Sequence, residues 1–198
     1  KKLDISFDDF IRTTEPRHRA GVTDFVRRMA AAGDIYDGVY EGWYCEGCEA
    51  FKQEKDLVEG NCPIHQSSKP EWIREKNWFF RLSKYQQPLL DLYASQPDFV
   101  RPQSRMNEVR SFVEGGLRDL SVSRTSFDWG VKVPGAEDHV MYVWVDALTN
   151  YLTGVGYPDD TERFSKFWPA DLHLIGKDIV RFHAVYWPAF LLSAGLPL

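Results

Sequence analysis

Three cysteines and one histidine form the pattern that most constrains this chain. Cys45 and Cys48 read Cys-Glu-Gly-Cys, and thirteen residues later Cys62 and His65 read Cys-Pro-Ile-His. Two short ligand pairs around a small loop are typical of a tetrahedral structural zinc site. Four protein ligands leave no open coordination position, which predicts an ion that stabilises the fold and does no chemistry. The alternative is three scattered thiols and a surface histidine.

Composition narrows the class of protein. A chain of 198 residues predicts one large or two small domains. The net charge of −5 argues against a surface coated with basic residues for nucleic acid, and the aromatic fraction of 15% suits pockets or broad packing faces. No apolar run approaches the roughly 20 residues of a membrane span. We therefore expect a soluble, cytoplasmic protein with no membrane contact.

Both ends of the sequence lie within patterned segments. Lys1 is not an initiator methionine, and the chain stops at Leu198 in an apolar run. We expect this chain to be an internal segment of a longer protein.

The apolar pattern predicts an α/β fold. Val22, Phe25, Val26 and Met29 recur at helical spacing and predict one buried helix face. Residues 141–145 and 172–175 are predicted strands, and helices are expected to follow from about residue 146 and about residue 179. Strand, glycine turn and helix in this order predict a unit of a parallel sheet. Residues 41 to about 70 have too few apolar side chains for their own core, so a metal would supply the stability.

One candidate cluster follows the first predicted strand, at the sheet edge where open α/β folds bind ligands. If a helix begins near Asp146, then Ala147, Leu148 and Tyr151 share a face, and Trp144 lies just before it. These residues predict an aromatic wall.

A second cluster follows the second predicted strand. Ile179 and His183 are four residues apart and share a helix face. Gly176 permits close approach of a ligand to the backbone, and Asp178 suits a helix N-cap or a sugar hydroxyl. Together the two clusters predict a pocket for an apolar side chain. The same residues are equally consistent with a packed core in which Asp178 only caps a helix.

These motifs together resemble the methionyl-tRNA synthetases, a class I family. The resemblance rests on Tyr-Val-Trp-Val-Asp-Ala-Leu-Thr-Asn-Tyr at 142–151, Ile-Gly-Lys-Asp-Ile-Val-Arg-Phe-His at 175–183, Trp-Phe-Phe-Arg-Leu-Ser at 78–83 and the cysteine–histidine segment. It implies a Rossmann-type parallel sheet interrupted by a zinc-knuckle connective-peptide insertion. Residues 1–35 would end the first Rossmann half, residues 36–138 would form the insertion, and residues 139–198 would belong to the second half.

The resemblance also implies residue roles. The methionine pocket would be lined by Trp144, Ala147, Leu148, Tyr151, Ile179, Phe182 and His183. Gly176 and Asp178 would contact the adenosine ribose, with Arg124 near the nucleotide or else an ordinary surface arginine. Zn²⁺ would be structural, held by Cys45, Cys48, Cys62 and His65.

The resemblance implies an activity for the parent protein. It would activate L-methionine with ATP, accompanied by Mg²⁺, and transfer it to tRNA(Met). The family's two signature motifs are absent from this sequence, so we expect the isolated chain to be inactive. Two alternatives stay open. One is another class I synthetase. The other is a zinc-ribbon module that binds nucleic acid through the basic patch Arg17, Arg19, Arg27 and Arg28.

Overall fold

The computed structural model describes residues 4–48, 50–52, 54–65, 69–125 and 128–198. Their helices, α1 to α6 in chain order, are Pro16–Ala31, Gln86–Ser95, Gln103–Glu114, Val143–Thr153, Thr161–Phe167 and Trp187–Ala194. Their strands, β1 to β7, are Ile35–Cys45, Ala50–Lys52, Glu71–Phe80, Leu120–Ser121, Ser123–Arg124, Lys132–Val133 and Ala136–Met141. None of the helices in these ranges is long and apolar enough to cross a membrane.

Helix α1 confirms the apolar face that the sequence predicts. Every residue of that face, from Val22 to Met29, is buried in the core. Pro16 lies in the first turn, where a missing backbone N–H removes no helical hydrogen bond. Gly33 follows the helix end with a φ of 75°, a left-handed conformation that favours glycine.

Strands β1 and β3 form a long antiparallel ladder with β2 and β4 at its edges. The register runs from Ile35 opposite Phe80 to Tyr44 opposite Glu71. Phe80 is fully buried, so this end of the ladder packs on the core. The other end reaches Cys45, the last residue of β1. The predicted metal segment therefore lies at the far tip of a ribbon formed by β1 and β3, where β2 pairs with the last residues of β1.

A second antiparallel sheet, in the order β5-β7-β6, leads into helix α4. Strand β7 ends at Met141 and α4 begins at Val143, so the prediction of a strand through residue 145 is wrong. Tyr142 is the extended N-cap residue, and Val145 is buried in the first helical turn. A short apolar run does not distinguish a buried strand from a buried helix by its periodicity.

The predicted strand at 172–175 has no regular secondary structure and pairs with no strand among the described residues. Leu172 and Leu174 are 77% and 91% exposed, whereas His173 and Ile175 are partly buried. The side chains of residues 172–175 alternate between exposed and partly buried as in a strand, but these residues form no strand pair with the other described residues. All strand pairs within the described ranges are antiparallel, so the expected parallel pairing is not seen there.

The predicted last helix has three parts. A 3₁₀ turn at Lys177–Ile179 is followed by a π-helical turn at Phe182–Tyr186 and then by α6. The Trp187 N–H donates to the carbonyl of Phe182, five residues earlier, as a π turn requires. Pro188 lies in the first turn of α6 and has no N–H to donate.

A buried carboxylate joins the start of the ladder to two other elements. Asp34 is 1% exposed and accepts hydrogen bonds from Lys84 Nζ at 2.7 Å, from Ser193 Oγ at 2.8 Å and from the Tyr85 hydroxyl. Burial opposes ionisation, but these donors lower the pKa of Asp34 below its ordinary value. The carboxylate is therefore charged at neutral pH and holds α6 against the segment before α2.

Removal of this carboxylate is expected to destabilise the protein. Asp34→Ala leaves the buried hydroxyls of Tyr85 and Ser193, and the half-exposed ammonium of Lys84, without their acceptor. The free energy of unfolding should therefore decrease by about 3 kcal/mol. The control is Asp98→Ala, because Asp98 is 75% exposed and pairs with Arg101 on the surface. Its effect should stay below about 0.5 kcal/mol. Urea denaturation of the full-length protein, followed by tryptophan fluorescence, measures both, and equal effects would contradict the assignment.

Candidate functional site

The four predicted metal ligands lie together at the tip of the ribbon. Their ligand atoms are all within 4.8 Å of one another. Cys48 Sγ is 3.2 Å from His65 Nδ1 and 3.5 Å from Cys62 Sγ, and Cys45 Sγ is 3.9 Å from the same Nδ1. Zinc bonds of about 2.0–2.3 Å in a tetrahedron place ligand atoms about 3.3–3.8 Å apart. The residues therefore fit a four-coordinate zinc ion. The sulfur atoms of Cys48 and Cys62, 3.5 Å apart, are too far from each other to form a disulfide bond.

Local backbone geometry supports this cluster. A Cβ atom at Gly47 would lie 2.8 Å from His65 Cγ, so a larger residue would displace the imidazole. Burial acts to raise the pKa of Cys62, but the backbone N–H groups of His65 and Ile64 donate to its sulfur and lower that pKa to about 6. A thiol that ionises below neutral pH is suited to metal ligation.

Helix α4 and the π turn meet through aromatic rings. Trp144 and Phe182 stack with their ring centroids 3.6 Å apart and their planes 8° apart. His183 meets Trp144 edge-on at 6.4 Å and Tyr151 at 5.6 Å. The structure thus brings four of the predicted pocket residues together from two distant segments of the chain.

The hydrogen bonds of His183 define its tautomer. Its Nδ1 lies 2.9 Å from the carbonyl oxygen of Ile179, which can only accept, so Nδ1 carries the hydrogen. Burial lowers the pKa of His183, which favours the neutral ring at pH 7. Its Nε2 therefore accepts from the Tyr151 hydroxyl at 2.7 Å. Each N–H or O–H donor of this pair already has an acceptor.

The other predicted wall residues lie on the same elements. Ala147 is partly buried on the α4 face that carries Trp144 and Tyr151. Leu148 is 1% exposed and belongs to the hydrophobic core, so it supports the wall from behind. Ile179 is partly buried and is the last residue of the 3₁₀ turn that precedes the π turn.

The predicted ribose contacts lie at an exposed turn. Gly176 and Asp178 are both exposed, and Gly176, rather than Asp178, occupies the N-cap position of the 3₁₀ turn. Asp178 makes no capping hydrogen bond there, so its interpretation as a plain cap is wrong. A Cβ atom at Gly176 would lie 2.6 Å from Asp178 Oδ1. Glycine at this position therefore leaves room for the Asp178 carboxylate.

His173 joins the aromatic cluster of α4 and the π turn, a contact that the sequence prediction missed. Its ring lies 4.4 Å from the Tyr151 ring, 6.4 Å from His183 and 6.1 Å from Trp168. Burial and then the neighbouring His183 lower the pKa of His173. The alternation of residues 172–175 predicted two faces without identifying the inner one, and the exposed leucines on either side leave His173 facing inward.

Arg124 is not the surface residue that one interpretation proposed. It is 4% exposed, and its NH1 group donates to Ser121 Oγ and to the Ser123 carbonyl, both at 3.2 Å. Its guanidinium lies 5.3 Å from the rings of both Tyr44 and Tyr142. Arg124 therefore connects the residue before Cys45 with the N-cap of α4.

The basic patch on α1 is partly neutralised. Arg17 pairs with Asp9 at 2.9 Å and with Glu15 at 2.7 Å, and Arg28 pairs with Asp24 at 2.9 Å. Two of its four arginines thus have carboxylate partners, which weakens the case for a nucleic-acid surface there.

The ligand set predicts a specific metal response. The full-length protein should bind about one zinc ion at this cluster, and Cys45→Ser should lose it because a hydroxyl replaces a thiolate ligand. His65→Cys should retain zinc, because four thiolates also form a structural site. The control is Glu46→Ala, an exposed neighbour outside the ligand set. Metal analysis after dialysis measures all three, and zinc retained by Cys45→Ser would exclude the predicted coordination.

The histidine pair predicts that acid destabilises the protein. His173 and His183 have lowered pKa values when folded, whereas both titrate near about 6.5 when unfolded. Below that pH the unfolded state binds more protons, so their contribution to stability is lost as the pH falls towards the folded pKa values. The urea midpoint of the unmodified protein should decrease between about pH 7 and about pH 5. The decrease should be steeper than in the double variant that carries both His173→Gln and His183→Gln. Parallel slopes would contradict this origin.

Curated relatives match the chain from end to end. The family model described as tRNA synthetases class I (M) matches residues 1–70 and 64–198. The methionine--tRNA ligase of Rickettsia felis is 56% identical over 197 residues, covering 99% of this chain and 38% of that protein. The methionine--tRNA ligase of Mycobacterium bovis is 60% identical over 200 residues with the same coverage. The chain therefore spans about 38% of the length of these relatives.

Solved structures match the fold. The Mycobacterium tuberculosis methionyl-tRNA synthetase bound by methionyl-adenylate gives a TM-score of 0.94 at 59% identity, covering 99% of this chain and 40% of that chain. Its apo form gives a TM-score of 0.90. The α/β class I synthetase fold and the family resemblance predicted from the sequence are confirmed. The chain belongs to the class I (M) tRNA synthetase family, that of the methionyl-tRNA synthetases.

Proposed function

We propose that the full-length protein containing this chain is a methionine–tRNA ligase. It activates L-methionine with ATP to methionyl-adenylate and transfers the methionyl group to tRNA(Met). The observation that carries this proposal is the neutral Tyr151–His183 pair beside the Trp144–Phe182 stack. The identity of 56–60% to methionine--tRNA ligases supports it and disfavours other class I synthetases.

The methionine side chain lies beside the ring stack. A centroid distance of 3.6 Å is direct ring contact, which leaves no space between Trp144 and Phe182. The bound side chain instead packs among Ala147, Tyr151 and Ile179. A thioether is polarizable and only a weak acceptor, so it loses little on leaving water. Because the donors of Tyr151 and His183 already have acceptors, the site suits a side chain that needs no hydrogen bond.

The adenosine moiety lies at the exposed turn of Gly176 and Asp178. The free carboxylate of Asp178 accepts hydrogen bonds from the ribose hydroxyls, and the absence of a side chain at Gly176 permits close approach. ATP enters with Mg²⁺ as the substrate pair. Arg124 supports the nucleotide side of the site through its contact with Tyr142, next to the pocket helix.

Zinc has a structural role in this proposal. Four protein ligands close the coordination sphere, so the ion stabilises the tip of the ribbon. The ribbon belongs to the connective-peptide insertion of residues 36–138, between Rossmann portions at 1–35 and 139–198. We therefore expect zinc loss to affect the insertion more than the methionine pocket.

Methionine affinity tests this assignment. In the full-length protein, Trp144→Ala should weaken methionine binding by about 2–3 kcal/mol, which corresponds to a factor of roughly 30 to 160, because the pocket loses a stacked ring. The control is Trp72→Ala, which removes a tryptophan that is 58% exposed on the ribbon. Cys45→Ser should cost much less methionine affinity than Trp144→Ala. Equilibrium dialysis with radiolabelled methionine measures each affinity.

Three outcomes would contradict the proposal. One is unchanged affinity in Trp144→Ala, and the second is tighter binding of leucine or isoleucine than of methionine, which would indicate another class I synthetase. The third is ATP–pyrophosphate exchange by the isolated 198-residue chain, which we expect to be inactive.

A further inference from the structure

The π turn beneath the pocket has a chemical cause in the sequence. In a regular α-helix the N–H of residue 188 would donate to the carbonyl of Ala184, four residues earlier. Residue 188 is proline and has no N–H. The helix widens over Phe182–Tyr186, and the Trp187 N–H reaches back five residues to Phe182. The Ala184 carbonyl therefore receives no hydrogen bond from the residue that would ordinarily supply it.

A tyrosine from the predicted insertion supplies that hydrogen bond. The Tyr93 hydroxyl, on helix α2, donates to the Ala184 carbonyl oxygen at 2.6 Å. Tyr93 is 1% exposed and Ala184 is 4% exposed, so water cannot readily replace this donor. Burial raises the pKa of Tyr93, which keeps the hydroxyl protonated as a donor. A buried carbonyl without this bond would carry a desolvation penalty.

The widened turn has a consequence for the pocket. Trp144 and Tyr151 are two turns apart on one face of α4. Phe182 contacts Trp144, and the next residue, His183, contacts Tyr151. Successive side chains diverge by about 100° in an α-helix of 3.6 residues per turn, and they diverge less in a wider π turn. The π turn therefore lets two consecutive residues face the same helix.

We propose that Tyr93 is a positioning residue for the methionine site, because its hydroxyl replaces the N–H that Pro188 lacks and so holds the π turn that aims Phe182 and His183. This inference rests on the proposed function for its ligand. It assigns a specificity role to the insertion that is separate from the zinc cluster. Arg181, whose guanidinium lies 4.5 Å from the Phe112 ring of α3, adds a second contact between the insertion and this helix.

The test is a double-mutant cycle in the full-length protein. Tyr93→Phe removes one oxygen atom, and Pro188→Ala restores a backbone N–H for Ala184. Tyr93→Phe alone should lower the unfolding midpoint, and this loss should shrink by at least half in the Pro188→Ala background. Additive losses would overturn the exchange of donors. If Tyr93→Phe fails to fold, recovery of folding by Pro188→Ala supports the proposal, and no recovery overturns it.

Methionine binding tests the positioning role. If Tyr93→Phe leaves the π turn populated in about one molecule in ten, methionine affinity falls about tenfold. ATP affinity should change less than about twofold, because Gly176 and Asp178 precede the π turn. The matched control is Tyr36→Phe, which removes a hydroxyl that donates to Asp119 at 2.7 Å within the insertion. Equal loss of methionine affinity in both variants, or none in Tyr93→Phe, would overturn the positioning role.

The two proposals fail separately. Unchanged methionine affinity in Trp144→Ala contradicts the methionine pocket, while the unfolding cycle of Tyr93 and Pro188 needs no ligand and still tests the hydrogen bond. Weakened binding in Trp144→Ala together with unchanged binding in Tyr93→Phe contradicts only the role of Tyr93.

Discussion

The antiparallel ladder between β1 and β3 is the constraint on which the rest of the structure depends, because it joins the hydrophobic core to the cysteine–histidine cluster. Its backbone hydrogen bonds hold Phe80 in the core at one end and Cys45 in the metal cluster at the other. Side chains alternate between the two faces of a strand, so a slip of one residue would turn both away from their partners. The charged Asp34 at the base of the ladder opposes such a slip, because its donors come from two other segments.

Arg124 connects the predicted metal ligands with the helix that carries the proposed pocket residues. Its guanidinium lies against Tyr44, next to Cys45, and against Tyr142, the N-cap residue of α4. Arg124 therefore links the cysteine–histidine cluster to the beginning of α4. The hydrogen bond between Tyr151 and His183 lies farther along that helix and does not involve this contact. The geometry thus favours the proposed structural role of the cysteine–histidine cluster, because its contact with α4 is separate from the Tyr151–His183 pair.

Patterns of neighbouring residues predicted those parts of the fold that depend on contacts between residues close in sequence. The buried face of α1 follows from residue spacing, and the metal cluster follows from ligand spacing. The predicted strand through residue 145 was wrong because Val145 is a buried residue of helix α4, and a short apolar run fits a buried helix as well as a buried strand. The inward position of His173 was missed because alternation alone does not identify which face packs on other residues.

The sequence by itself determined the family, and it predicted the four clustered cysteine and histidine side chains and four residues of the aromatic cluster, because each rests on residue types at short, characteristic spacings. Tertiary structure decided how those residues act. The tautomer of His183 depends on two hydrogen bonds, one of them to Tyr151 on another helix. The π turn depends on Pro188, which the sequence shows, and on the Tyr93 hydroxyl, which lies 91 residues from the carbonyl it satisfies. A hydrogen bond between segments so distant has no local signature, since only packing brings its donor and acceptor together.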